Sequence, residues 1–176
     1  MSRMQTLLAA TDLSAPARHA VARAALLAAQ TGARLALIYV INLTLMESLR
    51  QLLGQSGQTV EKQLVDEAKN RLDQLAADMK KRYGVAADLH LTGGGVLQEI
   101  ASHVEKLDVD LLVMGARGAG FVRELLVGST TEKVLRKITR PLLVVKQMPH
   151  EPYRRVLVPV DFSPRSITSL DIAPPR

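Results

Sequence analysis

The sequence predicts a doubly wound α/β sandwich, a five-stranded parallel sheet covered by helices on both faces. Two observations carry that prediction. Short apolar runs alternate with helical periods from end to end, and turn residues separate the two kinds of segment. Strands that are apolar throughout are buried on both faces, which is the condition of parallel strands joined by right-handed helical crossovers. At 176 residues the chain is long enough for one domain with a substantial core and too short for two complete ones.

The first strand spans Met4 to Thr11 and is followed by Asp12-Leu13-Ser14-Ala15-Pro16. Ser14 can cap a helix whose first turn tolerates proline. That helix carries Ala17, Ala20, Val21, Ala24, Leu27 and Ala28 on one face and ends at Gly32, suited to a left-handed C-cap. Arg34 to Ile41 is a second buried strand. From Val60, the apolar positions Leu64, Ala68, Leu72, Leu75, Met79 and Tyr83 recur every three or four residues up to Gly84, which predicts a long amphipathic helix. Val85 to Thr92 is a third strand, Val96 to Lys106 a third helix and Asp110 to Met114 a fourth strand. A helix from Thr130 to Thr139 is halted by Pro141 before the fifth strand, Leu142 to Lys146. Residues 42–59 hold leucines and Met46 without a long period, and read as a connecting loop with one short helix; the functional alternative is a mobile lid. Gly93-Gly94-Gly95 reads as a flexible turn.

Composition removes several classes of function. Hydrophobic residues make up 47% and charged residues 23%, so neither intrinsic disorder nor a fibrous repeat fits. No apolar run is long enough for a membrane span, and the amino terminus has no signal-peptide pattern, so a cytoplasmic, membrane-free protein is expected. The absence of cysteine excludes disulfides, thiolate metal sites and cysteine nucleophiles together. A net charge of +6 raises the question of nucleic acid. The basic residues are spread along the chain, however, and two Phe, three Tyr and no Trp are too few for stacking platforms, so nucleic acid is disfavoured. No G-x-x-x-x-G-K-[ST] loop and no G-x-S-x-G elbow occurs, which excludes a P-loop NTPase and argues against an α/β-hydrolase. His19, His90, His103 and His150 lie far apart and offer no metal pair at helical spacing, with His103 expected on the solvent side of its helix.

Doubly wound sheets bind ligands outside the carboxyl ends of the strands, where strand order reverses. After the fourth strand the chain reads Gly115, two residues, Gly118, nine residues, then Gly128-Ser129. Gly115 and Gly118 permit a sharp turn and close backbone approach to a ligand. Gly128, Ser129 and Thr130 place unpaired amides at the positive end of a helix, an anion site to which Arg117 could add charge. This G-x2-G-x9-G-[ST] spacing, the opening strand ending in Thr11-Asp12 and the closing PLLVVK strand resemble the universal stress protein family across residues 3–147. The resemblance implies a Rossmann-like sheet of order 3-2-1-4-5 that binds ATP, with Mg2+ as an optional companion. It implies adenosine contacts at Ala10, Thr11, Asp12 and Val40, with Met114 beside the motif, and phosphate contacts at Gly115, Gly118, Gly128, Ser129 and Thr130. It further implies a homodimer through the last strand, Leu142 to Val145, and a nucleotide-responsive regulator in the stress response. The alternatives are a weak ATPase or a nucleotide-free, chaperone-like dimer; no base stands beside a nucleophile to mark an enzyme.

Plainer roles exist for the same residues. Ser129-Thr130-Thr131-Glu132 fits a capping box, Asp12 a polar turn and Met114 the core. Finally, residues 154–166 (RRVLVPVDFSPRS) repeat the opening strand and turn at an offset of 149 residues, with Asp161 matching Asp12 and Ser163 matching Ser14. The expected organisation is therefore a complete domain over residues 1–147, then a linker and the truncated first strand of a second repeat over 148–176, with Val156 to Val160 as that strand.

Overall fold

The structure is a computed structural model that describes residues 4–54, 56–116, 128–159 and 161. Ten elements follow one another: β1 (Thr6–Ala10), α1 (Ala15–Thr31), β2 (Arg34–Asn42), α2 (Leu43–Leu53), α3 (Ser56–Tyr83), β3 (Ala87–Gly94), α4 (Val96–Lys106), β4 (Leu111–Gly115), α5 (Ser129–Lys137) and β5 (Leu142–Val145). The strands form one sheet of order β3-β2-β1-β4-β5, and every pairing is parallel. The doubly wound five-stranded α/β fold expected from the sequence is the fold observed.

All five residues of β1 are buried, because the strand lies at the centre with helices on both sides. Strand side chains alternate between faces, so Leu7 and Ala9 enter a core layer with α1 and α3, while Leu8 and Ala10 enter another with α4 and α5. On α1, Ala20, Val21, Ala24, Ala25 and Ala28 are all buried. These small side chains let the helix axis approach the sheet closely. The ends of α1 are those the sequence signals: Ser14 Oγ accepts from the Ala17 amide at 3.4 Å, and Gly32 closes the helix at φ 71°.

One segment bears out its expectation and another differs. The short helix expected within residues 42–59 is α2, an 11-residue helix that begins directly after β2. The Asn42 side chain accepts from the Thr44 amide at 3.1 Å, Gly54 ends the helix at φ 56°, and Arg50 pairs with Glu61 of α3. Gly93 and Gly94, expected in a flexible turn, instead extend β3 and pair with Ile41 and Asn42. A Cβ on Gly93 would lie 2.9 Å from Leu43 Cδ2, so a larger residue there would make the Leu43 side chain shift.

The start of the central pair is tied by one carboxylate. Asp110 Oδ2 accepts from the amides of Gln5 at 2.7 Å and Thr6 at 2.9 Å, locking β1 to β4 in register. Asp110→Ala removes both bonds and leaves two amides to find water, so it should lower unfolding free energy by about 1–3 kcal/mol in urea titration.

The chain divides into one unit over Met4–Pro149 and a second that contains His150–Arg176. Within that second unit, residues 150–159 form neither helix nor strand, so the strand expected at Val156 to Val160 is not formed over its described part. Leu157 is 92% exposed. Among the described residues no helix is long and apolar enough to cross a membrane.

Candidate functional site

The chain runs outward from β1 to β2 and β3, then returns to place β4 and β5 on the other side of β1. The order therefore reverses between β1 and β4, and the carboxyl ends of these strands border the crevice where open α/β sheets take their ligands. Ala10 stands opposite Met114 across this line, and Ile38 flanks it on β2. Ala10, Met114 and Val40 all belong to the core layer on the α4 and α5 side. They form an apolar floor that spans β2, β1 and β4, two inter-strand steps of about 4.8 Å each.

The loop after β1 is held rigidly. The Thr11 amide continues the ladder to the Ile38 carbonyl at 3.0 Å, and its hydroxyl accepts from the Leu13 amide at 3.0 Å. Asp12 Oδ1 accepts from the Ser14 amide at 3.0 Å, so the turn role foreseen for this residue is present, while the residue itself is exposed at the crevice. The two side chains hold Leu13 at a φ of 63°, a left-handed conformation that a leucine adopts only when its surroundings enforce it.

On the other side, α5 starts at the end of β4 because three hydrogen bonds put it there. The Ala116 amide donates to the Val145 carbonyl at 2.8 Å, and the Gly128 amide donates to the Ala116 carbonyl at 2.7 Å. The buried Thr131 hydroxyl donates to the Gly115 carbonyl at 3.0 Å. The helix begins at Ser129 with Gly128 as its N-cap, and among the described residues no side-chain hydrogen bond caps it. The capping box is thus a correction: Ser129 lies inside the first turn, and Thr131 is engaged with β4 rather than with its own helix. Ser129 and Thr130 are exposed at this uncapped, electropositive end.

The structure therefore gathers Ala10, Thr11, Asp12, Val40, Met114, Gly115, Gly128, Ser129 and Thr130 at one end of the sheet. Arg117 and Gly118 lie outside the described residues. Thr131 is the residue that sequence reasoning missed, and its signal was there: a hydroxyl on the inward side of an amphipathic helix, among Val134 and Ile138. Thr131→Val keeps shape and removes the donor to Gly115, so it should cost about 1–3 kcal/mol in chemical denaturation.

Two hollows adjoin this end of the sheet. One, of about 210 Å³, is lined by Leu13, Tyr39, Ile41, Leu64, Ala68 and Arg71, on the opposite face of the sheet from the apolar floor. The other, of about 240 Å³, is lined by Pro16, His19, Ala116, Val145, Lys146 and Gln147. Of the basic residues on and just after α5, Arg136 pairs with Glu132 and Arg140 with Asp108, each at 2.7 Å. Among the described residues no cluster of three metal-ligating side chains occurs.

A parallel sheet of this order, with an uncapped helix N-terminus at its switch point, defines a Rossmann-like α/β protein. The model of the universal stress protein family matches residues 4–146, and the chain belongs to that family. Universal stress protein MJ0577 of Methanocaldococcus jannaschii is 32% identical over 88 residues, 50% of this chain and 54% of that protein, so the alignment spans about half of the relative. The solved structure of MJ0577 superposes with a TM-score of 0.67 at 25% identity, covering 83% of this chain and 98% of that one. A universal stress protein in complex with cAMP superposes at 0.60 with 21% identity, covering 82% and 98%. One from Archaeoglobus fulgidus in complex with dAMP superposes at 0.58 with 20% identity, covering 83% and 100%.

Proposed function

We propose that this chain is an ATP-binding universal stress protein, a nucleotide-responsive regulator rather than a turnover enzyme. The observation that carries the reading is the uncapped N-terminus of α5, fixed against β4 by Thr131 and Gly128 and adjoining an apolar floor. Such an end favours phosphate, and a floor of Ala10, Val40 and Met114 suits a flat, largely apolar base. Family relatives in complex with cAMP and dAMP support an adenine nucleotide as the ligand class. In this reading Ala10, Thr11, Asp12 and Val40 hold the adenosine, with Met114 beside them. Gly115, Arg117, Gly118, Gly128, Ser129 and Thr130 hold the phosphates, with or without Mg2+.

The protein acts in the cytoplasm as a homodimer. Among the described residues strand β5 is an edge of the sheet, and Leu142 to Val145 offer an apolar ladder to a second copy. Residues 1–147 are the working domain, and 148–176 carry the start of a second repeat. Calorimetric titration of the stripped protein with ATP, AMP and cAMP tests the site. A micromolar dissociation constant for ATP without product formation supports the regulator, whereas no binding at millimolar ATP overturns it. Turnover above background would return the reading to a weak ATPase.

A further inference from the structure

Two histidines that are distant in sequence meet at the edge of the sheet. His90 lies on the edge strand β3, in register with Ile38 of β2. His103 reaches it from α4, with ring centroids 5.3 Å apart and ring planes at 69°. This corrects the expectation of a solvent-facing His103. The protonation of each ring is constrained by its surroundings. His103 Nδ1 lies 2.8 Å from the Glu99 carbonyl oxygen, and since a carbonyl only accepts, that nitrogen carries hydrogen. His90 Nε2 is buried and, among the described residues, has no hydrogen-bond partner. A proton added there finds no acceptor among those residues, and the His103 ring stands directly beside it.

The neighbouring charges relieve this only in part. On β3, Asp88 is turned to Arg34 of β2 at 3.5 Å, both well exposed. On α4, the Glu99 carboxylate accepts from the Thr92 hydroxyl at 3.0 Å, and Lys106, one turn beyond His103, adds a further cation. The remaining β2 neighbours, Ile38 and Val40, are apolar. Helix α2 meets β3 through Leu43 at Gly93, and its Arg50 is held by Glu61.

We propose that the contact between His90 and His103 makes the β3–α4 edge acid-sensitive: the neutral His90 ring packs edge to face on His103, and a proton on His90 drives helix and strand apart. Burial, and then His103, push the His90 imidazole below the ordinary histidine range, with Asp88 opposing. The opened edge therefore binds more protons than the closed one. Closure is fully stable above the unperturbed value of about 6.5 and weakens as pH falls from there toward the lowered folded value. Opening uncovers the apolar layer of Ile38, Ile100 and Val104 beneath α4.

The test is hydrogen exchange on the intact chain at about pH 7.5 and 5.5, corrected for intrinsic exchange rates. Protection of β3 and α4 amides should fall about tenfold relative to β1 on acidification in the native protein. His90→Phe should abolish that loss, His103→Gln should reduce it, and His19→Gln and His150→Gln should leave it unchanged. Equal protection at both pH values, or the same loss in His90→Phe, overturns the proposal. Should His90→Phe not fold, an NMR titration of the native protein decides. A His90 ring that titrates below the ordinary range supports the switch, and one at or above it sinks the idea.

Discussion

Ser129→Asp should weaken ATP binding by at least about tenfold while leaving the fold as stable as before or slightly more so. The two effects have opposite signs for one physical reason. Ser129 is exposed in the first turn of α5, at the end where, among the described residues, no side-chain hydrogen bond caps the amides. A carboxylate there interacts favourably with the helix dipole, worth about 0.3–1 kcal/mol at an exposed position. A phosphate seated at the same amides meets that carboxylate as a like charge. At about 4 Å and an effective dielectric constant of about 20, the repulsion is roughly 4 kcal/mol before screening, well above the 1.4 kcal/mol that a tenfold loss requires. Adenosine, which carries no phosphate, should be affected little. Calorimetry with ATP and adenosine, run beside thermal unfolding of the same variant, reads both signs. Unchanged ATP affinity in a folded Ser129→Asp protein would remove the α5 terminus from the site, and equal losses for ATP and adenosine would point to general damage.

Where the sequence carried local signals, the fold was legible. The ends of α1 follow from Ser14 and Gly32, and α4 spans the expected Val96 to Lys106. The apolar runs located the inner strands β1, β2 and β4, because a strand buried on both faces needs no partner to reveal its pattern. The failures came where the decisive contact is distant. Glycines carry no hydropathy pattern, so nothing local marks Gly93 and Gly94 as β3; pairing with Ile41 and Asn42 places them there. Asn42 is a legible cap for α2, but it ends an apolar run, and the irregular leucines that follow mark a short helix without marking its bounds. Thr131 looks like part of a capping box until β4 arrives with the Gly115 carbonyl. The same holds for His90 and His103, which only the packing of α4 on β3 brings into contact.

The site shows the same division. The crevice between β1 and β4 could be named from the order of elements, and nine of the residues proposed for it stand at that end of the sheet. What the sequence could not show is how the pieces are held. Thr11 and Asp12 fold the β1 loop back on itself, and Ala116 joins β5 to the return point at Gly128. These bonds preorganise the crevice before any ligand arrives, which lowers the ordering cost of binding.

Leu112→Ala should be the most destabilising change considered, by about 2–5 kcal/mol, from the lost burial and the cavity left behind. Leu112 is wholly buried on β4, in register with Leu8 on one side and Leu142 on the other. It lies in the layer shared with Ile100 and Val104 of α4 and Val134 of α5. Every neighbour is fixed by a strand or a helix, so collapse around the missing atoms is restricted. Leu135→Ala on the same α5 is the contrast: that side chain is 51% exposed, and its loss should fall within about 0.5 kcal/mol of zero. Urea titration with an unchanged slope would assign the Leu112 effect to native-state packing. Because this layer also seats the helix whose first turn is proposed to hold phosphate, the variant links stability to function. ATP at a hundredfold excess over its dissociation constant should restore about 2.7 kcal/mol to Leu112→Ala. In Leu112→Ala combined with Ser129→Asp the same ATP concentration should restore much less, because the terminus remains packed against β4 but no longer welcomes the anion. Equal rescue in both proteins would place nucleotide somewhere other than α5.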